Sequence, residues 1–189
     1  MGIVVSMLKW LGIAIALILL GIALFVFSMR FSDGPWEMVA GGAFTSGQVY
    51  SGSEPDWSPM RKRTEVQFQL LDPARSRTTW IVEHDNRIFI PSGYMTTTIG
   101  KLWKQWPAEA EEDGRALLRV DDDIYPRQMV RIQQDPALGS VLRLIAQKYV
   151  APMTAAQTGE APDMRELHLE MVQQVADGTL WIFELQSRQ

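Results

Sequence analysis

No cysteine occurs among the 189 residues. Disulfides, thiolate metal sites and cysteine nucleophiles are therefore excluded, and the redox compartment stays open, because a cysteine-free chain suits either side of a membrane. Histidine is nearly as scarce. His84 and His168 stand far apart in sequence and neither has a metal-ligand spacing, so no metal site is expected. Basic charge is not in excess either: 18 Lys and Arg face 22 Asp and Glu, for a formal charge of −4. Lys9 and Arg30 flank an apolar run, which leaves 16 basic against 22 acidic residues beyond it. That field gives no footprint for nucleic acid. Gly-x-Ser-x-Gly elbows, phosphate loops and dinucleotide fingerprints are all missing, which leaves hydrolase and nucleotide-triphosphatase readings without support. Asp121-Asp122-Asp123 lacks the glycine and distal glutamate of a calcium loop and reads as a solvated turn. Nothing in the sequence desolvates one of Glu109, Glu111 and Glu112 against another for acid–base work.

Charge is absent altogether from Leu11 to Phe27 (LGIAIALILLGIALFVF). With its neighbours this run reaches the roughly 20 residues a helix needs to cross a bilayer. It exceeds a signal-peptide core of about 7 to 15 residues, and no small-x-small cleavage site follows. We therefore expect a retained anchor, residues 1–30, that meets the lipid bilayer through residues 8–29. Met1-Gly2 with Ser6 fits the short myristoylation pattern, to which a spanning helix leaves little to do. Lys9 and the terminal amine before the helix, against Arg30 after it, favour an inside amino terminus and a non-cytoplasmic domain.

Residues 31–63 are rich in Gly, Ser, Pro and Asp, and read as a membrane-proximal loop region with one short strand at Gly47 to Tyr50. Trp36, Phe44, Tyr50 and Trp57 argue against a floppy tether. They suit packing on the domain, or for Trp36 the membrane interface. The domain proper is expected over 64–189. Val66, Phe68 and Leu70 alternate with Glu65, Gln67 and Gln69, the period of a half-buried strand. Arg77 to Glu83 and Arg87 to Ile90 read as a hairpin turned by Asp85-Asn86. A helix is predicted around Lys101 to Trp106, restarting at Pro107, and then a hairpin of 115–120 with 124–132. Asp135-Pro136 opens a helix running to Tyr149. Residues 151–163 read as a loop, and Leu167 to Val175 with Thr179 to Leu185 as a last hairpin turned by Asp177-Gly178. Seven strands and two or three short helices in a domain this small favour a closed or split barrel.

From about Thr64 to Leu185 the order of pieces resembles the split β-barrel flavoproteins, which include pyridoxamine-phosphate-oxidase-like proteins and deazaflavin-dependent nitroreductases. Its carriers are Arg77-Thr78-Thr79-Trp80-Ile81-Val82 with the Asp85-Asn86 turn, Ile88-Phe89-Ile90-Pro91-Ser92-Gly93, Lys104-Gln105-Trp106-Pro107 leading to Arg115 through Val120, the helix ending in Lys148-Tyr149, and Leu180 to Leu185. The resemblance implies an antiparallel split barrel that holds FMN or deazaflavin F420 for hydride or electron transfer. The phosphate would be held by Arg77, Thr78 and Thr79 on one strand and by Ser92, Lys101 and Lys104 beyond the next. It also implies a homodimer with Trp103 and Trp106 near a shared site. The chain departs from the pattern at Tyr94 to Gly100, which lacks the basic, Asn-containing segment common in the deazaflavin enzymes, and in its anchor.

Each assignment has a plainer competitor. Lys101 and Lys104 also suit the solvated face of an amphipathic helix, Arg77 a cross-strand ion pair with Glu65 or Glu83, and Ser92-Gly93-Tyr94 a turn. The alternative function is a cofactor-free envelope binding or assembly module held at the membrane.

Overall fold

A computed structural model describes residues 2–96 and 104–188. Helix α1 (Gly2–Ser28) runs into a 3-10 turn at Met29–Phe31. Together Val4–Phe31 form one helix long and apolar enough to cross a membrane, with 0% of its apolar window buried against the rest of the chain. It is apolar on every face, so it has no stripe with which to pack on a core.

The domain is an antiparallel split barrel. Its strands are β1 (Gln48–Val49), β2 (Glu65–Leu71), β3 (Ala74–Trp80), β4 (Val82–His84), β5 (Arg87–Ser92), β6 (Arg115–Val120), β7 (Asp123–Ile132) and β8 (Trp181–Ser187). Their order is β3-β2-β6-β7-β8-β5-β4, and β1 joins β7 in parallel, Gln48 opposite Asp123. β3 and β4 are two halves of one run interrupted at Ile81. β3 pairs with β2 at one end of the order and β4 with β5 at the other, so a single bent strand curls the sheet round on itself. The two-residue hairpin loop Asp85-Asn86 has both residues at positive φ (52° and 59°), the geometry that short polar side chains tolerate.

The predicted alternation on β2 holds. Val66, Phe68 and Leu70 enter the barrel with Leu118, Met129, Phe183 and Leu185. Helix α2 (Trp106–Glu112) stops one end, its Trp106 ring 5.0 Å from Phe68 and 5.5 Å from Phe183. At the other end Arg127, 2% exposed, pairs with Glu54 at 2.7 Å and lies 4.7 Å over the Trp57 ring, fastening the 50–57 segment across the opening.

A second core covers the outer face of β4, β5 and β8. It is built by α3 (Leu138–Ile145), a π turn (Ala146–Val150) and α5 (Met164–Ala176), while α4 (Ala151–Thr158) links the last two without a buried residue of its own. Two expectations are corrected here. Residues 151–158 are helix rather than loop: the wide π turn just before Pro152 makes room for the proline ring and its missing N–H, and Gly159, at φ 80°, ends the helix. Residues 167–175 are helix rather than strand. Asp163 caps the segment by accepting from the Arg165 and Glu166 amides, and Met164, Leu167, Met171 and Val175 fall on one helical stripe against the second core. Asp177-Gly178 is accordingly a helix exit and not a hairpin turn. Among the described residues the predicted helix before Pro107 begins at Trp106; Lys101 and Trp103 lie outside them.

The bend at Ile81 leaves backbone groups without ladder partners, and the π turn supplies them. The Ile81 N–H donates to the Tyr149 hydroxyl at 3.1 Å. That hydroxyl faces the Ile81 and Thr64 carbonyls at 2.6 and 2.7 Å, and Lys148 Nζ donates to the Met60 and Ile81 carbonyls at 3.0 and 2.9 Å. Burial pushes the Tyr149 phenol up to about 12, so it stays protonated at neutral pH. Trp80 stacks on the same ring at 4.5 Å. Tyr149→Phe keeps the stack but strands a buried N–H, and should cost about 1–3 kcal/mol, read as a fall in urea midpoint at unchanged slope.

Candidate functional site

The bent strand closes the barrel only where β4 reaches. The β4 ladder stops at Val82 opposite Phe89, so Ile90–Ser92 of β5 pair with β8 on one side alone, and the outer side of β3 carries, among the described residues, a single bridge from Ser76 to Gly41. Between these two edges, which approach each other, lies the split. Cross-strand register decides which β3 side chains face inward: Arg75, Arg77 and Thr79 sit opposite Leu70, Phe68 and Val66. Helix α2 crosses the end of the split.

Arg77 is half-buried, its Nη2 3.5 Å from Glu109 Oε2 and its Nη1 3.4 Å from the Arg75 carbonyl. Burial pushes its pKa down, opposed by Glu109 and reinforced by Arg75, and a guanidinium stays charged regardless. Lys104 flanks the β5 side. Its Nζ donates to the Gly93 carbonyl at 3.3 Å and lies 5.7 Å from the Tyr94 ring centroid, with no carboxylate at ion-pair distance among the described residues. Burial alone lowers its pKa.

The other expected site residues are placed differently. Thr79 shares Arg77's face. Thr78 is on the opposite face, lining an outer concavity of about 370 Å³ with Glu65, Gln67 and Arg119. Ser92 is 1% exposed and its hydroxyl lies 3.3 Å from Met95 Sδ. Trp106 fills the barrel end. The structure thus gathers Arg77 and Thr79 on one edge and sets Lys104 by the other, with Thr78 on the opposite sheet face and Ser92 buried with its hydroxyl on Met95.

Sequence reasoning missed Arg75, two residues before Arg77 and therefore on the same strand face. Its Nη2 donates to the Ala40 carbonyl at 3.4 Å, while its buried Nε has no hydrogen-bond partner. Burial and the nearby Arg30 depress its pKa, against Glu109. The period-two placement of two arginines on an edge strand was the available signal.

No protein-family model matches the chain, and neither does any curated protein. Two solved structures are similar to it. A pyridoxamine 5'-phosphate oxidase-like protein from Listeria innocua is 8% identical, with 69% of this chain and 88% of that chain covered at a TM-score of 0.41. A conserved hypothetical protein from Mycobacterium tuberculosis is 16% identical, with 77% and 87% covered at a TM-score of 0.43.

A desolvated ammonium without an anion is a cost to the fold, so Lys104→Met should raise the melting temperature of the ligand-free protein, by roughly 2–4 °C per kcal/mol recovered at this size. Differential scanning fluorimetry of the two proteins without added ligand measures it; a lower melting temperature would show that Lys104 is already satisfied within the chain.

Proposed function

We propose that this is a membrane-anchored flavin- or deazaflavin-dependent reductase whose cofactor, FMN or deazaflavin F420, seats at the split. What carries the reading is positive charge at the two edges that the described residues answer only in part: Arg75 has a buried Nε with no acceptor among them, and Lys104 a desolvated ammonium with no carboxylate among them at ion-pair distance. A phosphate is the group whose charge and oxygen acceptors suit both. A bound flavin supplies hydride or electron transfer. Arg75, Arg77 and Lys104 would bind and orient it, Thr79 would offer a hydroxyl from the same strand face, and Trp106 would keep water from the barrel end. Lys101 belongs to the same proposal on sequence grounds. No general acid or base is assigned.

A second reading, a cofactor-free envelope module, has its own observation. Arg77 is answered by Glu109, Ser92 by Met95, and Trp106 is committed to the core, so three of the expected contacts serve the fold as it stands.

The two separate on the full chain in detergent micelles, titrated with FMN and with the deazaflavin while absorbance and melting temperature are followed. The reductase reading expects saturable binding and a melting shift that follows ligand by mass action. It also expects Lys104→Met and Arg75→Met each to weaken that binding about tenfold or more, the worth of one charge-assisted hydrogen bond. Colourless protein with no shift for either cofactor would leave the second reading standing.

A further inference from the structure

We infer that the turn Trp36–Val39 is a second membrane contact, a wedge that enters the interfacial layer of the leaflet from which α1 emerges and sets the barrel's orientation on the bilayer. This rests on the reading that α1 crosses the bilayer.

The end of α1 is not followed by a tether. Met29 is buried against the domain, and Gly42 lies so close to the helix exit that a Cβ there would meet the Arg30 carbonyl oxygen at 2.3 Å. The Ser32 hydroxyl is within 2.8 Å of the Met29 and 2.7 Å of the Gly34 carbonyls, holding the chain as it reverses. After the reversal Trp36 returns to α1 and packs edge-on against Phe25 at 5.3 Å, while Phe31 packs on Phe27 at 5.6 Å. Phe25 is three residues before the end of α1, about 4.5 Å along the axis at 1.5 Å per residue. A ring touching Phe25 therefore shares the depth of the helix's last turn. If α1 spans, that depth is the interface, where tryptophan is favoured.

The turn is built for that layer. Trp36 and Val39 satisfy each other's backbone groups at 3.1 and 2.8 Å, so they ask nothing of water. Three large apolar side chains stand out from it and from the helix exit: Met38 at 87%, Phe31 at 77% and Trp36 at 58% exposure, continuous with the bare apolar surface of α1. Glu37, the charged residue between Trp36 and Met38, lines the concavity on the barrel side together with Arg119. The far arm is fixed to the sheet by Gly41, whose N–H donates to the Ser76 carbonyl at 3.0 Å on β3. A wedge at Trp36–Met38 would thus hold β3, and with it one edge of the split, towards the headgroups beside Arg30.

The absence of cysteine makes the test clean. Single cysteines replacing Leu19 in mid-span, Met38 at the wedge and Glu160 in the exposed connection between α4 and α5 are spin-labelled in the full chain in phosphatidylcholine nanodiscs. Collision with oxygen and with a water-soluble nickel chelate is then read by power saturation. The wedge expects the Met38 label to be severalfold less accessible to nickel than the Glu160 label, and shallower than Leu19. A Met38 label as open to nickel as Glu160, beside a shielded Leu19, would overturn the wedge while leaving α1 as a span. A nickel-accessible Leu19 would show that α1 does not span, and the wedge would fall with it.

Discussion

The barrel hangs on the hydrogen bonds at Ile81. A strand that pairs at one end of the sheet and continues to pair at the other must bend, and a bend strips ladder partners from the backbone at its apex. Here the missing partners come from Lys148 and Tyr149 on a π turn that itself belongs to the second core. Closure of the sheet and placement of its covering helices are thus one event. The same bend leaves the split, because β4 protects only the first half of β5.

The split is where the protein departs from an economical fold. Several charges elsewhere are answered by side chains: Glu83 by Arg61, Arg87 by Asp135 and Glu184, Arg119 by Asp33 and Gln67. At the edges of the split, Arg75 and Lys104 carry desolvated charge that, among the described residues, carbonyl oxygens only partly satisfy. Stability would be better served by apolar side chains at both positions.

Segment 31–46 adds a mechanical element. Asp33 accepts from Thr45 and Arg119 at 2.7 and 3.0 Å, Phe44 donates its N–H to Gln69 Oε1 at 2.6 Å, and Arg119 lies 4.2 Å over the Phe44 ring. Burial alone would raise the Asp33 carboxyl, but hydrogen bonds from Ser46 and Thr45 and the Arg119 charge outweigh it and hold it near 2. The helix that leaves the domain is thus clamped to the outer face of β2 and β6 rather than strung from it.

Much was legible in one dimension. The uninterrupted apolar run of α1, the alternation of Val66, Phe68 and Leu70, and the Asp85-Asn86 and Asp121-Asp122 turns each follow from chain chemistry within a few residues, and so did the strands they bound. What sequence could not decide was anything set by a distant partner. Leu167 to Val175 supports either period until Asp163 caps it and the second core receives its stripe. Residues 151–158 read as loop until a π turn admits Pro152 into a helix. Arg77 and Thr78 are neighbours in sequence, and only the pairing of β3 with β2 sends one towards the split and the other to the opposite face. Local periodicity fixes which residues alternate; the register of a strand bonded to another far along the chain fixes which side of the barrel they see.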